Sequence, residues 1–215
     1  MRVFAIVPVK ELSASKRQLS AVLSPEERCS LTAAMLEDVL KALKSSMITE
    51  IIIVGAGSLA QQVADKYGAS YLSKGRVGLD RAVKKAVEWC IEKKVDAVLV
   101  LPANIPLTSS KDIDRIVELG SEERSVVLSP SLKGGMNALF LNPPNVIQAC
   151  FGPSCFFQNV EAAIKKDIIL RFYSSTDIAM DVDSEEDLQR LLETEKNTTS
   201  KQAFQKIMRK KGKNQ

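Results

Sequence analysis

The stretch DAVLVLPANIPL, from Asp96 to Leu107, decides the fold class of this chain. Its apolar run over residues 97–101 predicts a buried strand, and the prolines that follow stop this strand in a rigid loop. The loop presents one short polar side chain, that of Asn104, shortly after Pro102. Because the ligands of open α/β sheets collect at the carboxyl ends of strands, we expect Pro102 and Asn104 to border a binding site.

Strand and helix patterns alternate through the rest of the chain. The apolar patterns predict strands over residues 3–8, 50–54, 69–72, 97–101, 125–129, 137–141 and 168–172. They predict helices over residues 25–45, 59–67, 79–93 and 184–192, one that begins at Ser110 and one that follows Pro153. The connection between residues 129 and 137 is too short for a crossover helix, which indicates one antiparallel strand. The expected fold class is therefore α/β, a single-domain, three-layer α/β/α arrangement with a mixed, mostly parallel sheet.

The composition limits the chemistry and the location of the protein. The 215 residues include no histidine, which excludes an imidazole base and a histidine-ligated metal. The four cysteines show no CxxC pair, so we expect reduced thiols. No apolar run reaches the roughly 18 residues of a membrane-spanning helix, and the first residues resemble a strand rather than a signal peptide. We therefore expect a cytoplasmic protein without a membrane partner.

Basic residues concentrate at the end of the chain. Residues 196–215 hold seven Lys and Arg and no Asp or Glu, whereas residues 1–195 hold 23 basic and 26 acidic residues. We therefore expect a main domain over 1–195 and a basic C-terminal tail over 196–215. The tail could contact nucleic acid or another acidic surface, or form a terminal helix that packs Phe204, Ile207 and Met208. Nothing else in the sequence indicates nucleic-acid binding.

Three cations follow the first predicted strand. Lys10, Lys16 and Arg17 lie in the segment PVKELSASKRQL. Cations in a loop at the carboxyl end of a strand suit the phosphates of a nucleotide, although solvated surface lysines would produce the same sequence. The chain has no GxxxxGK[ST] motif, so this segment is not a Walker P-loop.

Two carboxylates alternate in the segment DVDSEEDL. Asp181 and Asp183 would lie on one edge of an extended segment, an arrangement that suits Mg²⁺. The same segment resembles the start of a helix, with Asp183 or Ser184 as the N-cap and Glu186 or Asp187 closing a capping box. Both interpretations hold together if Asp183 binds the metal and Ser184 caps the helix.

Three further segments suit either a ligand or plain structure. Gly134 and Gly135 would let a ligand approach the backbone, or would form an ordinary hairpin. The segment FGPSCF, residues 151–156, resembles the start of a helix whose free amides could hold an anion, or a helix capped by its serine. Asp80 would cap the helix over residues 79–93 or reach a ribose hydroxyl.

Five segments in a fixed order carry a family resemblance. PVK with a following lysine, LPANIPL, GGMNALF, FGPSCF and DVDSEEDL resemble the motif series of the 2-phospho-L-lactate guanylyltransferases, often labelled CofC, over about residues 1–192. The resemblance implies a MobA-like nucleotidyltransferase domain with a glycosyltransferase-A type sheet, and it is compatible with a homodimer. It also implies that GTP and 2-phospho-L-lactate, or phosphoenolpyruvate in related members, are condensed with release of pyrophosphate. With 2-phospho-L-lactate the product is lactyl-2-diphospho-5′-guanosine, in the biosynthesis of the deazaflavin coenzyme F-420.

The resemblance also implies which residues form the site. Lys10, Lys16 and Asp183 would be catalytic. The residues expected around the nucleotide are Val9, Lys10, Lys16, Arg17, Asp80, Pro102 and Asn104. The phospho-acid is expected against Gly134, Gly135, Met136, Asn137, Gly152, Ser154 and Cys155. Magnesium, the expected cofactor, would be held by Asn104, Asp181 and Asp183.

Four positions depart from the family pattern. Asn104 stands where the family has an aspartate, Met136 where it has a threonine, Cys155 where it has a serine and Gln18 where it has an arginine. These changes leave two other interpretations open: a relative that binds a nucleotide without turnover, and a nucleotidyltransferase with another acceptor. Because the glycines, the lysines and the two DVD carboxylates remain, we expect activity to be retained.

Overall fold

The computed structural model describes residues 1–10, 16–73, 75, 77–152 and 154–212, except for the side chain of Arg17. Within these ranges the strands are β1 Val3–Pro8, β2 Glu50–Gly55, β3 Ser70–Ser73, β4 Ala97–Val100, β5 Ser125–Pro130, β6 Met136–Asn142 and β7 Ile169–Phe172. They form one sheet in the order β3-β2-β1-β4-β6-β5-β7. Each strand ends within one residue of its predicted bounds, because runs of apolar residues bounded by polar turns mark the strands clearly.

Helices connect most of these strands. They are α1 Pro25–Lys44, α2 Ser58–Tyr67, α3 Leu79–Glu92, α4 Ser110–Leu119, α5 Phe156–Lys165, α6 Thr176–Ala179, α7 Glu185–Glu193 and α8 Thr199–Gly212. The predicted start of α1 is confirmed, since Ser24 and Glu27 form a capping box and Pro25 is the first helical residue. The short α6 is absent from the sequence prediction because one turn shows no period. No helix of the described ranges has both the length and the apolar character needed to cross a membrane.

The sheet is mixed and covered on both faces. β6 runs antiparallel to β4 and β5, whereas β1 pairs in parallel with β2 and β4, and β5 with β7. Val3 and Ala5 of β1 enter a core cluster with α1, α2 and α4, while Phe4 and Ile6 enter a second cluster with α3 and α5. Alternate side chains of a strand point to opposite faces, so the two clusters lie on the two sides of the sheet. The predicted three-layer α/β class is confirmed.

The segments that hold most of the predicted site residues lie together at one end of the central strands of this sheet. Ile6 pairs in register with Val100, so the segments that follow β1 and β4 leave the sheet side by side. Because β6 is antiparallel, its first residue, Met136, lies beside Pro130 at the end of β5. The residues directly after β1, the loop after β4 and the β5–β6 hairpin therefore meet at one end of the sheet.

The basic tail forms a helix that packs onto the domain. Phe204 and Ile207 of α8 are buried in a cluster that also contains Leu31 of α1. The Asp38 carboxylate accepts the backbone N–H groups of Thr199 and Ser200 at 2.7 and 2.8 Å, at the start of α8. The helix alternative for the tail is thus confirmed, except that Met208 is 46% exposed. The predicted domain boundary at residue 195 stays a prediction.

Candidate active site

A cleft of about 810 Å³ opens at the end of the sheet where the residues after β1 and β4 and the β5–β6 hairpin meet. The predicted site residues that line it are Val9, Lys10, Lys16, Asp80, Pro102, Asn104, Gly134, Gly135, Met136, Asn137, Gly152, Ser154, Asp181 and Asp183. Cys155 is the predicted contact that lies off the cleft among the described side chains, and the side chain of Arg17 lies outside the description. The fold thus brings residues from separate segments together, while their individual roles stay predictions.

An ion pair between Lys16 and Asp183 lies in the cleft. The Lys16 ammonium donates to the Asp183 carboxylate and to the carbonyl oxygen of Val182. The Lys16 side chain is 7% exposed and that of Asp183 is 37% exposed. Burial lowers the pKa of Lys16, although the charge of Asp183 opposes this. Burial alone would raise the pKa of Asp183, but the Lys16 ammonium holds it well below its usual range, so Asp183 is ionised at neutral pH.

Asn104 joins this ion pair from the loop after β4. Its amide nitrogen donates to Oδ1 and Oδ2 of Asp183 at 3.3 and 3.2 Å, and its backbone carbonyl accepts the N–H of Val182 at 2.9 Å. A carboxylate at this position would repel Asp183, whereas the asparagine donates to it and leaves its own Oδ1 as the oxygen a cation would use. The structure therefore brings Asn104 into contact with Asp183, one of the two carboxylates of the predicted metal site.

Asp181 carries a buried oxygen without a partner. Its Oδ2 accepts from Lys133 at 3.3 Å, whereas Oδ1 is buried and has no hydrogen-bond partner among the described residues. Burial raises the pKa of Asp181, and the neighbouring carboxylate of Asp183 raises it further. An unpartnered carboxylate oxygen next to a second carboxylate fits a divalent cation, which would satisfy both. The described residues contain no group of three or more Asp, Glu, Cys or His suited to a metal, so such a cation would need additional oxygens.

Asp187 organises the backbone next to these carboxylates. Its Oδ2 accepts the N–H groups of Asp183 and Ser184 at 2.9 and 2.8 Å, and the Lys133 ammonium at 2.7 Å. Ser184 is the N-cap of α7 and Asp187 closes the capping box, which settles the capping alternatives for this segment. Burial would raise the pKa of Asp187, but its donors, with Lys133 foremost, lower it.

The sequence does not predict the contacts of Lys133 with the carboxylate segment. Its partners Asp181 and Asp187 lie 48 and 54 positions later in the chain. No spacing rule connects residues that far apart. The available signal was a lysine directly before the two glycines of a hairpin that ends at a predicted site.

The β5–β6 hairpin is fixed largely by its own hydrogen bonds. Gly134 has φ +79°, a conformation that glycine adopts easily and other residues rarely do, so this glycine allows the hairpin to turn. Ser131 Oγ accepts the N–H groups of Lys133 and Gly135 at 3.3 and 3.0 Å. The buried Asn137 donates to the carbonyl oxygen of Ile178 at 2.8 Å. Its side chain therefore holds the hairpin in place at the edge of the cleft.

The segment after β6 differs from the sequence expectation in its cysteines. Cys150 and Cys155 form a disulfide with Cα atoms 5.3 Å apart, so the expected reduced state is wrong for these two, while Cys29 and Cys90 are free. Gly152, with φ +146°, turns the chain so that the two sulfurs meet, which the linear spacing does not reveal. Cys155 is therefore not a free thiol, and its predicted contact with the phospho-acid stays a prediction. Cys155 is also the N-cap residue of α5, with no side-chain cap, so the alternative of a serine-capped helix is wrong.

Asp80 holds this segment to α3. Its Oδ1 accepts the N–H of Phe151 at 3.1 Å, and its Oδ2 pairs with Lys84 at 3.1 Å. Gly78 is the N-cap of α3, so the capping alternative for Asp80 is wrong. The predicted contact between Asp80 and a ribose stays a prediction, since Asp80 lines the cleft.

The fold is that of the nucleotide-diphospho-sugar transferases, as comparison with solved structures shows. A solved structure from Desulfovibrio desulfuricans G20, described as a nucleotide-diphospho-sugar transferase, has a TM-score of 0.76 and 15% sequence identity, covering 96% of this chain and 95% of that one. A cytidylyltransferase from Leptospira borgpetersenii has a TM-score of 0.64 and 13% identity, covering 99% and 96%. These likenesses confirm the fold.

Sequence comparison then gives the family. The chain belongs to the family described as guanylyl transferase CofC like, which matches residues 2–212. A phosphoenolpyruvate guanylyltransferase of Rubrobacter xylanophilus is 36% identical over 192 residues, 89% of this chain and 94% of that protein. A 2-phospho-L-lactate guanylyltransferase of Methanocaldococcus sp. FS406-22 is 34% identical over 190 residues, 85% and 78% of the two chains. A 3-phospho-D-glycerate guanylyltransferase of Colwellia psychrerythraea is 28% identical over 192 residues, 89% and 91%. The resemblance inferred from the five motifs is confirmed.

Proposed function

We propose that this chain transfers the guanylyl group of GTP to the phosphate of a small phosphorylated carboxylic acid. The acceptor we favour is 2-phospho-L-lactate, with phosphoenolpyruvate as the close alternative, in the biosynthesis of coenzyme F-420. The observation that carries the proposal is the cluster of Lys16, Asp181 and Asp183 in the cleft of a chain that belongs to this family. The relatives named above use three acceptors that share a phosphate and a carboxylate, which supports this substrate class.

The reaction needs no protein nucleophile. An oxygen of the acceptor phosphate attacks the α-phosphorus of GTP, the bond from that phosphorus to the β-phosphate oxygen breaks, and pyrophosphate leaves with the bonding electrons. Catalysis of such a step depends on positioning and on neutralisation of phosphate charge. A chain without histidine can supply both, and we assign charge neutralisation to Lys10 and Lys16, which line the cleft.

We further propose that Asp181 and Asp183, assisted by the side-chain oxygen of Asn104, hold Mg²⁺. The support is the buried, unpartnered Oδ1 of Asp181 beside a second carboxylate. When bound, the cation would neutralise and polarise the α-phosphate of the nucleotide. With one carboxylate fewer than the family pattern, the site would depend more on oxygens from the triphosphate.

The acceptor would lie on the side of the cleft formed by the glycine hairpin. Gly134, Gly135 and Met136 line this side, together with Gly152 and Ser154 of the segment before α5. Glycine leaves backbone amides accessible to the phosphate and carboxylate of the acceptor. The thioether of Met136 adds an apolar surface that suits a methyl or methylene group.

The decisive experiment measures pyrophosphate release with Mg²⁺ and GTP in the presence of each phospho-acid separately. We expect release that requires a phospho-acid, is fastest with 2-phospho-L-lactate or phosphoenolpyruvate, and fails with ATP. Mass spectrometry of the product would show the guanylyl group on the acceptor. Measurable GTP binding without any release would instead favour the interpretation of a nucleotide-binding relative without turnover. The expected cytoplasmic location stays a proposal that cell fractionation would check.

A homodimer is proposed on separate grounds. Phe157, Ile164 and Phe172 on α5 and β7 are 76, 66 and 54% exposed, and β7 is an edge strand of the sheet. An exposed edge next to an apolar face suits pairing with the same edge of a second copy about a twofold axis. Sedimentation velocity should show a dimer that Phe172→Glu converts to monomer, while Met47→Glu, a change at another exposed apolar residue, does not. A monomeric parent protein would contradict the proposal.

A further inference from the structure

Lys133 joins the glycine hairpin to the carboxylate segment. Its Nζ donates to Asp187 Oδ2 at 2.7 Å, to Asp181 Oδ2 at 3.3 Å and to the Asp181 carbonyl oxygen at 3.1 Å. Lys133 directly precedes Gly134 and Gly135, which line the cleft. One ammonium thus connects two walls of the site.

The other contacts between these two segments stop short of the carboxylates. Leu132 N–H donates to the Ala179 carbonyl at 3.0 Å, and Asn137 donates to the Ile178 carbonyl at 2.8 Å. Lys133 reaches further along the chain, to Asp181. At the other end of the segment, Lys16 and Asn104 donate to Asp183. The segment 181–183 is therefore held by Lys133 at Asp181 and by Lys16 and Asn104 at Asp183.

Stability does not by itself account for this arrangement. The Lys133 side chain is 44% exposed, so solvent partly screens its ion pairs, although the side chains of Asp181 and Asp187 are only 11% and 5% exposed. Asp187 Oδ2 also accepts the N–H groups of Asp183 and Ser184, so the cap of α7 persists without the ammonium. The specific consequence of losing Lys133 is that the hairpin keeps its hydrogen bonds to residues 178 and 179 but loses its direct contacts with Asp181 and Asp187.

We propose that Lys133 is a positioning residue that fixes the glycine hairpin relative to Asp181 and Asp183. An acceptor bound against Gly134 and Gly135 is then held in a single orientation relative to Asp181 and Asp183. The identity of the acceptor rests on the proposed function, whereas the connection between hairpin and carboxylates does not.

Hydrogen–deuterium exchange of residues 131–137 tests the connection without substrates. In Lys133→Met these amides should exchange about tenfold faster, because the hairpin loses its contacts with Asp181 and Asp187 and is then held only at residues 178 and 179. Lys133→Arg should restore protection, since a guanidinium can donate to both carboxylates. Lys165→Met is the matched control, because it removes an exposed lysine paired with Glu161 on α5. Unchanged exchange in Lys133→Met would overturn the proposal.

Kinetics separates positioning from direct contact with the acceptor. Lys133→Met should raise the KM for the phospho-acid about tenfold, with smaller changes in kcat and in the KM for GTP. In a cycle with Asp187→Asn, which also weakens the α7 cap, the double variant should be less impaired than the product of the two single effects, since both changes break the contact of Lys133 with Asp187. Additive effects would show that Lys133 binds the acceptor itself and would overturn the proposal.

The two proposals fail in different ways. A parent protein that transfers guanylyl to none of the phospho-acids would refute the proposed function, and the exchange of residues 131–137 would still decide the role of Lys133. A parent protein that is active, with Lys133→Met as active and as protected as Lys165→Met, would refute the positioning role alone.

Discussion

Replacement of Asp183 by asparagine should lower kcat by about a thousandfold, the loss typical of removing a principal electrostatic group from an active site. The change keeps the shape of the side chain but removes the charge that Lys16 and Asn104 both contact. It also leaves the Lys16 ammonium, 7% exposed, without its carboxylate partner. We expect a loss of about 1–3 kcal/mol in unfolding free energy, less than for a fully buried pair because Asp183 is partly exposed. Steady-state assays of pyrophosphate release would measure the loss in kcat, and urea unfolding would measure the loss in unfolding free energy.

The variant Asn104→Asp is the matched test of the same site. A carboxylate at position 104 restores the family pattern and should tighten Mn²⁺ binding about tenfold, as measured by electron paramagnetic resonance. In the double variant Asn104→Asp/Asp183→Asn the number of carboxylates equals that of the parent. Recovery of metal binding but not of rate would show that position 183 matters beyond its charge. If Asn104→Asp binds Mn²⁺ no better than the parent, Asn104 does not lie at the metal, and the proposed ligand set is wrong.

Replacement of Lys16 by methionine should lower kcat/KM for GTP about a hundredfold, because a cation held in the cleft by burial and by Asp183 is lost. Methionine preserves the aliphatic length, so packing changes little. Lys66→Met is the control, since Lys66 forms an exposed ion pair with Glu37 away from the cleft. Isothermal titration with GTP and steady-state kinetics would separate binding from turnover.

The result for Lys16 also shows whether its ammonium contacts the phosphates of the nucleotide. In the structure the Lys16 ammonium is already bound to Asp183 and to the Val182 carbonyl. A phosphate would have to share this ammonium with the carboxylate. If Lys16→Met leaves both GTP binding and kcat unchanged, Lys16 serves only to neutralise Asp183, and its assignment to the phosphates is wrong.

The sequence predicted the sheet and the location of the cleft more completely than the contacts inside it. Strands such as 97–101 are marked by apolar runs that end in prolines. The carboxyl ends of such strands locate the site without any knowledge of side-chain contacts. That rule placed Asn104 at the site, and the family resemblance grouped it with Asp183. The pairs of Lys133 with Asp181 and Asp187 did not follow from that rule, because they depend on how a hairpin folds toward a distant segment.

The disulfide between Cys150 and Cys155 was not predicted, for a local reason. It depends on the turn at Gly152, which brings the sulfurs together across five positions. Helix α8, in contrast, was one of the alternatives for the basic tail. The helical spacing of Phe204 and Ile207 indicated it, and both side chains are buried in the structure.

The packing of α8 changes how the charge of the terminus can be studied. Val182, between the two carboxylates, shares its apolar cluster with Leu188 of α7 and with Phe204 and Ile207 of α8. A chain shortened before Thr199 would uncover this cluster and disturb the backbone that carries Asp181 and Asp183. Loss of activity after such a deletion would therefore reflect displacement of Asp181 and Asp183 and not the loss of basic charge. Neutralising the exposed Lys206 and Lys210 one at a time would measure the contribution of the charge alone.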